Sequence, residues 1–369
     1  MLFHKTEKTV SADMRKDKFR GCLIAGAAGD ALGYPVEFQS LAGIRSQYGK
    51  NGITEYSLFE GFDRAIVTDD TQMTLFTAEG LLACAADGSQ GSEAEFIRKA
   101  YLAWLFTQKH PSQPHPFKAS AAGNASEIPA EFSGFSLMRV PWLYARRAPG
   151  NTCLSALESG GRGTVIKPVN DSKGCGGIMR TAPAGLYAAS PEDAFRIGTE
   201  AAALTHGHPL GWLPAGMLSY IVHEAAYTDL PLDEAAMNAL ALAEEYAVPD
   251  EYLQTLRGLT EHAILLAEKP YDTDTQAIAE LGEGWVGEEA LAVSLYCALR
   301  YPDEPAKCLI AAVNHDGDSD STGAIAGNML GARLGLSALP KQLTETLEGI
   351  PEITEMADRL FDYSLIVKS

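Results

Sequence analysis

An all-α fold is what the sequence predicts, and three observations predict it. Apolar residues recur at three- and four-residue steps through long Ala- and Leu-rich runs, the period of an amphipathic helix. Alternating segments rich in Val, Ile and Thr, which would mark strands, are nearly absent. Helix stops punctuate the runs at Asp87-Gly88, Pro270 and Pro302.

Taken in order, helices are expected at 75–86, 94–106, 191–204, 213–226, 232–246 and 252–267. Three more follow near 288–300, 304–313 and 321–334. Between Lys109 and Ser136 the chain becomes rich in Pro, Ser, Ala and Gly, a long surface excursion that is either a lid or a solvated loop. No internal repeat and no linker divides two cores, so one domain is expected.

Composition narrows the function classes. Of 369 residues, 46% are hydrophobic and 21% charged, as in a globular protein with a real core. Lys and Arg total 29 against 48 Asp and Glu, a formal charge of −19. A surface this acidic repels phosphate backbones and argues against nucleic-acid binding, though not against a phosphorylated small molecule in a local pocket. Six dispersed cysteines (Cys22, Cys84, Cys153, Cys175, Cys297, Cys308) form no C-x-x-C pair and read as reduced thiols. The first residues lack the apolar core of a signal peptide, and no apolar stretch reaches about 18 residues. A cytoplasmic protein without a membrane span is expected.

Two segments carry the chemistry. Val67-Thr68-Asp69-Asp70-Thr71 runs straight into a helical stretch, and Asn314-His315-Asp316-Gly317-Asp318-Ser319-Asp320-Ser321-Thr322-Gly323 runs into another. Each could be an ordinary N-cap, since Asp, Ser and Thr side chains accept from the exposed amides of a first turn. One cap needs one oxygen, however, and these loops supply five aspartates plus hydroxyls. Brought together without counter-charge, such carboxylates repel or protonate, whereas Mg²⁺ or Mn²⁺ neutralises them and prefers these oxygen donors. Helix N-termini are themselves partly positive, so cation affinity must come from the carboxylates. An EF-hand fails, because its sixth and twelfth positions are Ser321 and Gly327 rather than Gly and Glu. Zinc spacing is absent around His206, His208 and His315.

Residues 170–185 read NDSKGCGGIMRTAPAG, and Gly174, Gly176 and Gly177 would let backbone amides approach a phosphate. No strand precedes them, so this is neither a P-loop nor a dinucleotide fingerprint. Arg180 would pair with phosphate or with a carboxylate. His206, in THGHP, ends one helix, where it either caps or contacts a ligand. Trp285, in GWVG, either packs in the core or offers a stacking face.

In this order the blocks GCLIAGAAGDALGYPVEF (21–38), TDDTQMT (68–74), RRAPGNTCLSAL (146–157), NDSKGCGGIMRTAPAGL (170–186), LTHGHP (204–209), LGEGWVGEEALAVSLYCAL (281–299) and NHDGDSDSTGAIAGNMLGA (314–332) resemble the ADP-ribosylglycohydrolase family. The resemblance implies a single compact, orthogonal multi-helix domain over 19–369, with a binuclear Mg²⁺ or Mn²⁺ site in a central cleft. It implies Thr68, Asp69, Asp70, Asp318, Asp320 and Ser321 as metal ligands, leaving Asp316 outside the set. Glu37 matches a glutamate near metals or substrate, and Glu37, Asp69 or Asp70 would be the catalytic base. Ser172, Lys173, Gly174, Cys175, Gly176 and His206 match residues that hold the diphosphate and ribose.

The implied activity is removal of ADP-ribose from mono-ADP-ribosylated protein, and the wording of GDSDSTG and SKGCGG looks closest to the arginine-directed branch. Serine-linked or small-molecule adducts are the alternative linkages. A binding protein that reads ADP-ribose, or an immunity protein that blocks an ADP-ribosyltransferase toxin, is the alternative role. On the carboxylates alone, a hydrolase of another metal-bound phosphoester also stands. Residues 1–18 precede the core and carry Lys5, Lys8, Arg15, Lys16 and Lys18, either a disordered terminus or an arm that reaches a partner.

Overall fold

A computed structural model describes residues 11–111, 127–269 and 273–367. Among these residues there are fifteen α-helices and no strand. They are α1 (Ala12–Gly33), α2 (Leu41–Tyr48), α3 (Asp69–Asp87), α4 (Glu93–Lys109), α5 (Asn151–Glu158), α6 (Ala182–Tyr187), α7 (Pro191–Ala203) and α8 (Pro209–Tyr227), followed by α9 (Leu232–Ala243), α10 (Asp250–Glu268), α11 (Asp274–Ala279), α12 (Gly287–Arg300), α13 (Pro305–Val313), α14 (Ser319–Leu334) and α15 (Ile350–Val367). The nine runs read from periodicity are all helices, and their ends follow local signals. Ser190 accepts from the Asp193 amide to start α7, and Gly88, left-handed at φ 71°, closes α3. Most of the excursion expected between 109 and 136 lies outside the described residues.

α1 and α14 make the most extensive helix–helix contact in the fold. Small residues are the reason. A Cβ on Gly29 would collide with the Gly323 carbonyl, one on Gly33 with the Ser319 carbonyl, and one on Gly327 with the Ala25 carbonyl. The two backbones therefore touch, and Asn328 reaches across to donate to the Cys22 carbonyl at 2.9 Å. α14 is buried from Ser319 to Ala332, with α8, α12 and α13 packed around it.

The remaining ties orient the loops at one end of this crossing. Arg20 holds Asp358 through two 2.6 Å hydrogen bonds, joining α1 to α15. Arg147, 1% exposed, pairs with Glu348 and donates to the Val67 carbonyl at 3.0 Å. Loop 145–150 is thereby fixed beside the start of α3.

The first helix also settles where the amino-terminal basic residues go. Residues 1–10, with Lys5 and Lys8, lie outside the described residues. From Ala12 onward the chain is already α1 rather than an extension: Lys16 sits 3.5 Å from Asp358, Arg15 lies over the Tyr227 ring, and buried Lys18 donates to the Ala225 carbonyl. These three cations thus make contacts within the fold.

Candidate active site

The N-termini of α3 and α14 converge beside the C-terminal end of α1. Both are capped as their sequences suggest: Thr68 accepts from the Asp70 amide at 3.2 Å, and Asp318 from the Ser321 amide at 3.3 Å. The caps do not compete with a cluster; they build it. With Thr68 and Asp318 turned inward as caps, Asp69, Asp70, Asp320 and Ser321 are all buried in the same space. Glu37, just after the turn Tyr34–Val36, completes it from the end of α1. Carboxylate oxygens of Glu37, Asp318 and Asp320 lie within 4.8 Å of one another.

Asp30 is the member that motif spacing did not single out. Fully buried on α1, it accepts from the Thr68 amide with both oxygens at 3.0 Å, from the Thr71 amide at 3.1 Å and from the Thr71 hydroxyl at 2.5 Å. It shapes the turn that presents Asp69 and Asp70. The available signal was a lone charged residue inside the Gly- and Ala-rich stretch 21–36.

The electrostatics are one-sided. Among the described residues, no Lys or Arg makes an ion pair with these carboxylates. Burial first, then mutual repulsion, holds Glu37 up to about 10 and Asp69 up to about 8. Asp70 and Asp320 are driven well above the usual carboxylate range by the same causes. Asp70 Oδ2 and Glu37 Oε2 are buried without a partner at hydrogen-bond geometry, and the nearby Ser321 hydroxyl offsets little of this for Asp70. Orphaned oxygens around a space lacking counter-charge fit hard divalent cations, and they are all of the donor type such ions take. Asp316 sits apart, accepting from the Leu41 amide at 2.8 Å, and His315 is held by Ala312, Asp316 and Thr322.

A cleft of about 390 Å³ opens above the cluster, of a size that suits a small-molecule ligand. Gly174, Cys175, Gly176 and His206 line it as well, with the Cys175 thiol beside Asp318 and Ser321. The Cys175 amide donates to the Trp285 carbonyl at 3.0 Å, so the glycine loop and the segment before α12 form one wall. Trp285 and Phe38 stack at the mouth with centroids 5.8 Å apart, and both are solvent-exposed. Two of the expected ligand-binding residues have partners within the protein. Lys173 pairs with buried Glu288, and the Ser172 hydroxyl sits 3.2 Å from that of Thr152. Arg180 meets neither a carboxylate nor the open cleft: it is fully buried over the Tyr101 ring.

The family model for ADP-ribosylglycohydrolase matches residues 11–365. The chain belongs to the ADP-ribosylglycohydrolase family. Similar members include ADP-ribosylhydrolase ARH3 of Danio rerio, 23% identical across 96% of this chain and 93% of that protein. Another is ADP-ribosyl-[dinitrogen reductase] glycohydrolase of Rhodospirillum rubrum, 25% identical across 88% of each. A solved structure described as an ADP-ribosylglycohydrolase-related protein complex shares the fold, with TM-score 0.59 and 21% identity over 95% of this chain and 99% of the other. The all-α class and the family read from the seven blocks are both borne out. No helix among the described residues is long and apolar enough to cross a membrane.

Proposed function

We propose that this ADP-ribosylglycohydrolase removes ADP-ribose from arginine of mono-ADP-ribosylated protein, by water attack on the N-glycosidic carbon of the ribose. The observation that carries it is a single cleft lined by both a carboxylate cluster and a glycine loop. Asp69, Asp70, Asp318 and Asp320, with Thr68 and Ser321, would hold two divalent cations, Mg²⁺ or Mn²⁺. When bound, these supply Lewis-acid charge for the ribose hydroxyls and the attacking water.

The protein's own groups do the rest. The glycine loop at Gly176, with the His206 ring beside it, receives the diphosphate, which fixes the ribose over the cluster. Glu37 holds its proton more tightly than an ordinary glutamate, through burial and the neighbouring Asp318 charge. With cations beside it the carboxylate would ionise and take the proton of water as the oxocarbenium-like transition state forms. Phe38 and Trp285 offer an exposed aromatic face at the mouth, where a planar guanidinium gains cation–π contact that a hydroxyl leaving group does not. That face, with the wording of GDSDSTG and SKGCGG, supports arginine as the linkage.

Both kinds of named relative match at similar identity, 23% and 25%, so the linkage is the first thing to measure. Purified protein is given arginine-linked, serine-linked and small-molecule ADP-ribose adducts, each with Mg²⁺ and with chelator. Release from the arginine adduct, abolished by chelator, is expected. Release from serine alone would overturn the linkage and leave the hydrolase. Binding of ADP-ribose without release from any adduct would replace the enzyme with a reader or blocking protein.

A further inference from the structure

Arg180 is a guanidinium buried completely with no carboxylate partner among the described residues, and the proposed chemistry gives it no task. Its Nη2 donates to the Thr205 hydroxyl at 2.6 Å and to the Ala201 carbonyl at 3.3 Å, while Nη1 lies 3.2 Å from Cys153 Sγ. Thr205 Oγ1 is in turn 2.9 Å from Nδ1 of His206.

The direction of this chain follows from its donors. Arginine can only donate, so Thr205 Oγ1 accepts from it. The one hydroxyl proton is then free to be given away, and Thr205 is fully buried, where an unused donor is costly. His206 Nδ1 is the acceptor within reach. Nδ1 must therefore be bare, and the ring proton sits on Nε2. The imidazole is kept neutral as well, by burial first and then by the Arg180 charge behind it. Nε2 has no partner among the described residues, and it points at the glycine loop. A Cβ on Gly174 would lie 3.5 Å from it and one on Gly176 3.3 Å.

We infer that Arg180 is a positioning residue for anion recognition: through Thr205 it locks His206 as the Nε2–H tautomer, a fixed neutral donor aimed at the diphosphate seat of the glycine loop. The inference rests on the ADP-ribose reading for the identity of the anion, and on hydrogen-bond geometry alone for the relay. It also accounts for an arginine standing where an acidic partner would cancel its field.

The test separates these two supports. Histidine-selective ¹⁵N NMR of the full chain reads the tautomer of His206 without any ligand, and calorimetry with Mg²⁺ reads ADP-ribose affinity. The wild type should show Nε2–H. Thr205→Val, near-isosteric but unable to relay, should populate Nδ1–H and weaken ADP-ribose by roughly tenfold, the worth of one hydrogen bond. Thr205→Ser should restore both. A wild type in the Nδ1–H form overturns the relay even if Thr205→Val fails to fold. A tautomer switch in Thr205→Val with unchanged affinity overturns its role in binding. Wild type that shows Nε2–H yet binds no ADP-ribose supports the relay and sinks the ADP-ribose reading.

Discussion

The two walls of the cleft solve opposite problems. On one, six carboxylates are buried against each other with oxygens left unpaired, and the wall has no cation of its own. On the other, a glycine loop and a neutral imidazole face the opening beside Thr152, Cys153 and Met179, and buried Arg180 is set back behind them. Charge at the surface of the first wall demands a mobile counterion. Charge one layer behind the second shapes the field without offering a contact that could trap a released product. The contrast suggests that one wall works by reactivity and the other by orientation.

The largest test is to remove a ligand from the reactive wall. Asp70→Ala is expected to lower turnover by roughly a thousandfold or more, as loss of transition-state charge stabilisation does. ADP-ribose affinity should fall by no more than about tenfold, because the orienting wall is intact. Equal losses in steady-state turnover and calorimetric affinity would mean that the walls are not separable.

A smaller effect is expected from Asp30→Asn, which touches no substrate. The turn at Thr68 loses a charged acceptor, and a residue supporting metal ligands is commonly worth 10- to 100-fold in activity or metal affinity. A Mn²⁺ titration alongside kcat/KM should show both falling together. An unchanged titration would reduce Asp30 to a packing residue.

The smallest effect concerns stability. Buried without cations, Asp69 is held up to about 8 and Asp30 up to about 6, above the ordinary 3.8. The folded chain then keeps protons that the unfolded chain releases, so this stabilisation is complete below about pH 4 and is lost as pH rises through those values. In chelator, Tm should therefore decline between about pH 5 and 8. The rise in Tm on adding Mg²⁺ should grow over the same window, on the order of a few degrees. A chelated protein whose Tm climbs with pH would show that the carboxylates already have a partner.

How much of this was readable beforehand follows the same division. Helices with a regular apolar stripe, such as α3, α7 and α12, stand out from periodicity because one face alone meets the core. α1 was quoted as a motif but not read as a helix: its glycines lower helix propensity, and it is buried on most sides, so no stripe remains. The reactive wall was legible because five aspartates in two short loops exceed what capping requires. On the orienting wall the glycine loop and His206 were legible too, but the relay behind them was not. Arg180, Thr205 and His206 are 26 residues apart at most, yet their order of donation depends on burial, which no spacing encodes. Lys173 was expected at the ligand from the family resemblance alone, and its ion pair with Glu288 of α12 is a partner that no spacing encodes.

The backbone contact between α1 and α14 has a consequence for heredity. It leaves no slack between Asp30 on α1, with Glu37 just beyond its end, and Asp318 and Asp320 at the start of α14, because nothing but hydrogen separates the two main chains at Gly29 and Gly323. A single added methyl there would push Asp30 and Glu37 away from Asp318 and Asp320 while every one of them remained in the sequence. A descendant could thus lose its chemistry and still display each expected acidic residue. In this lineage, an inventory of ligands is a weaker sign of an active enzyme than the glycines that keep them in register.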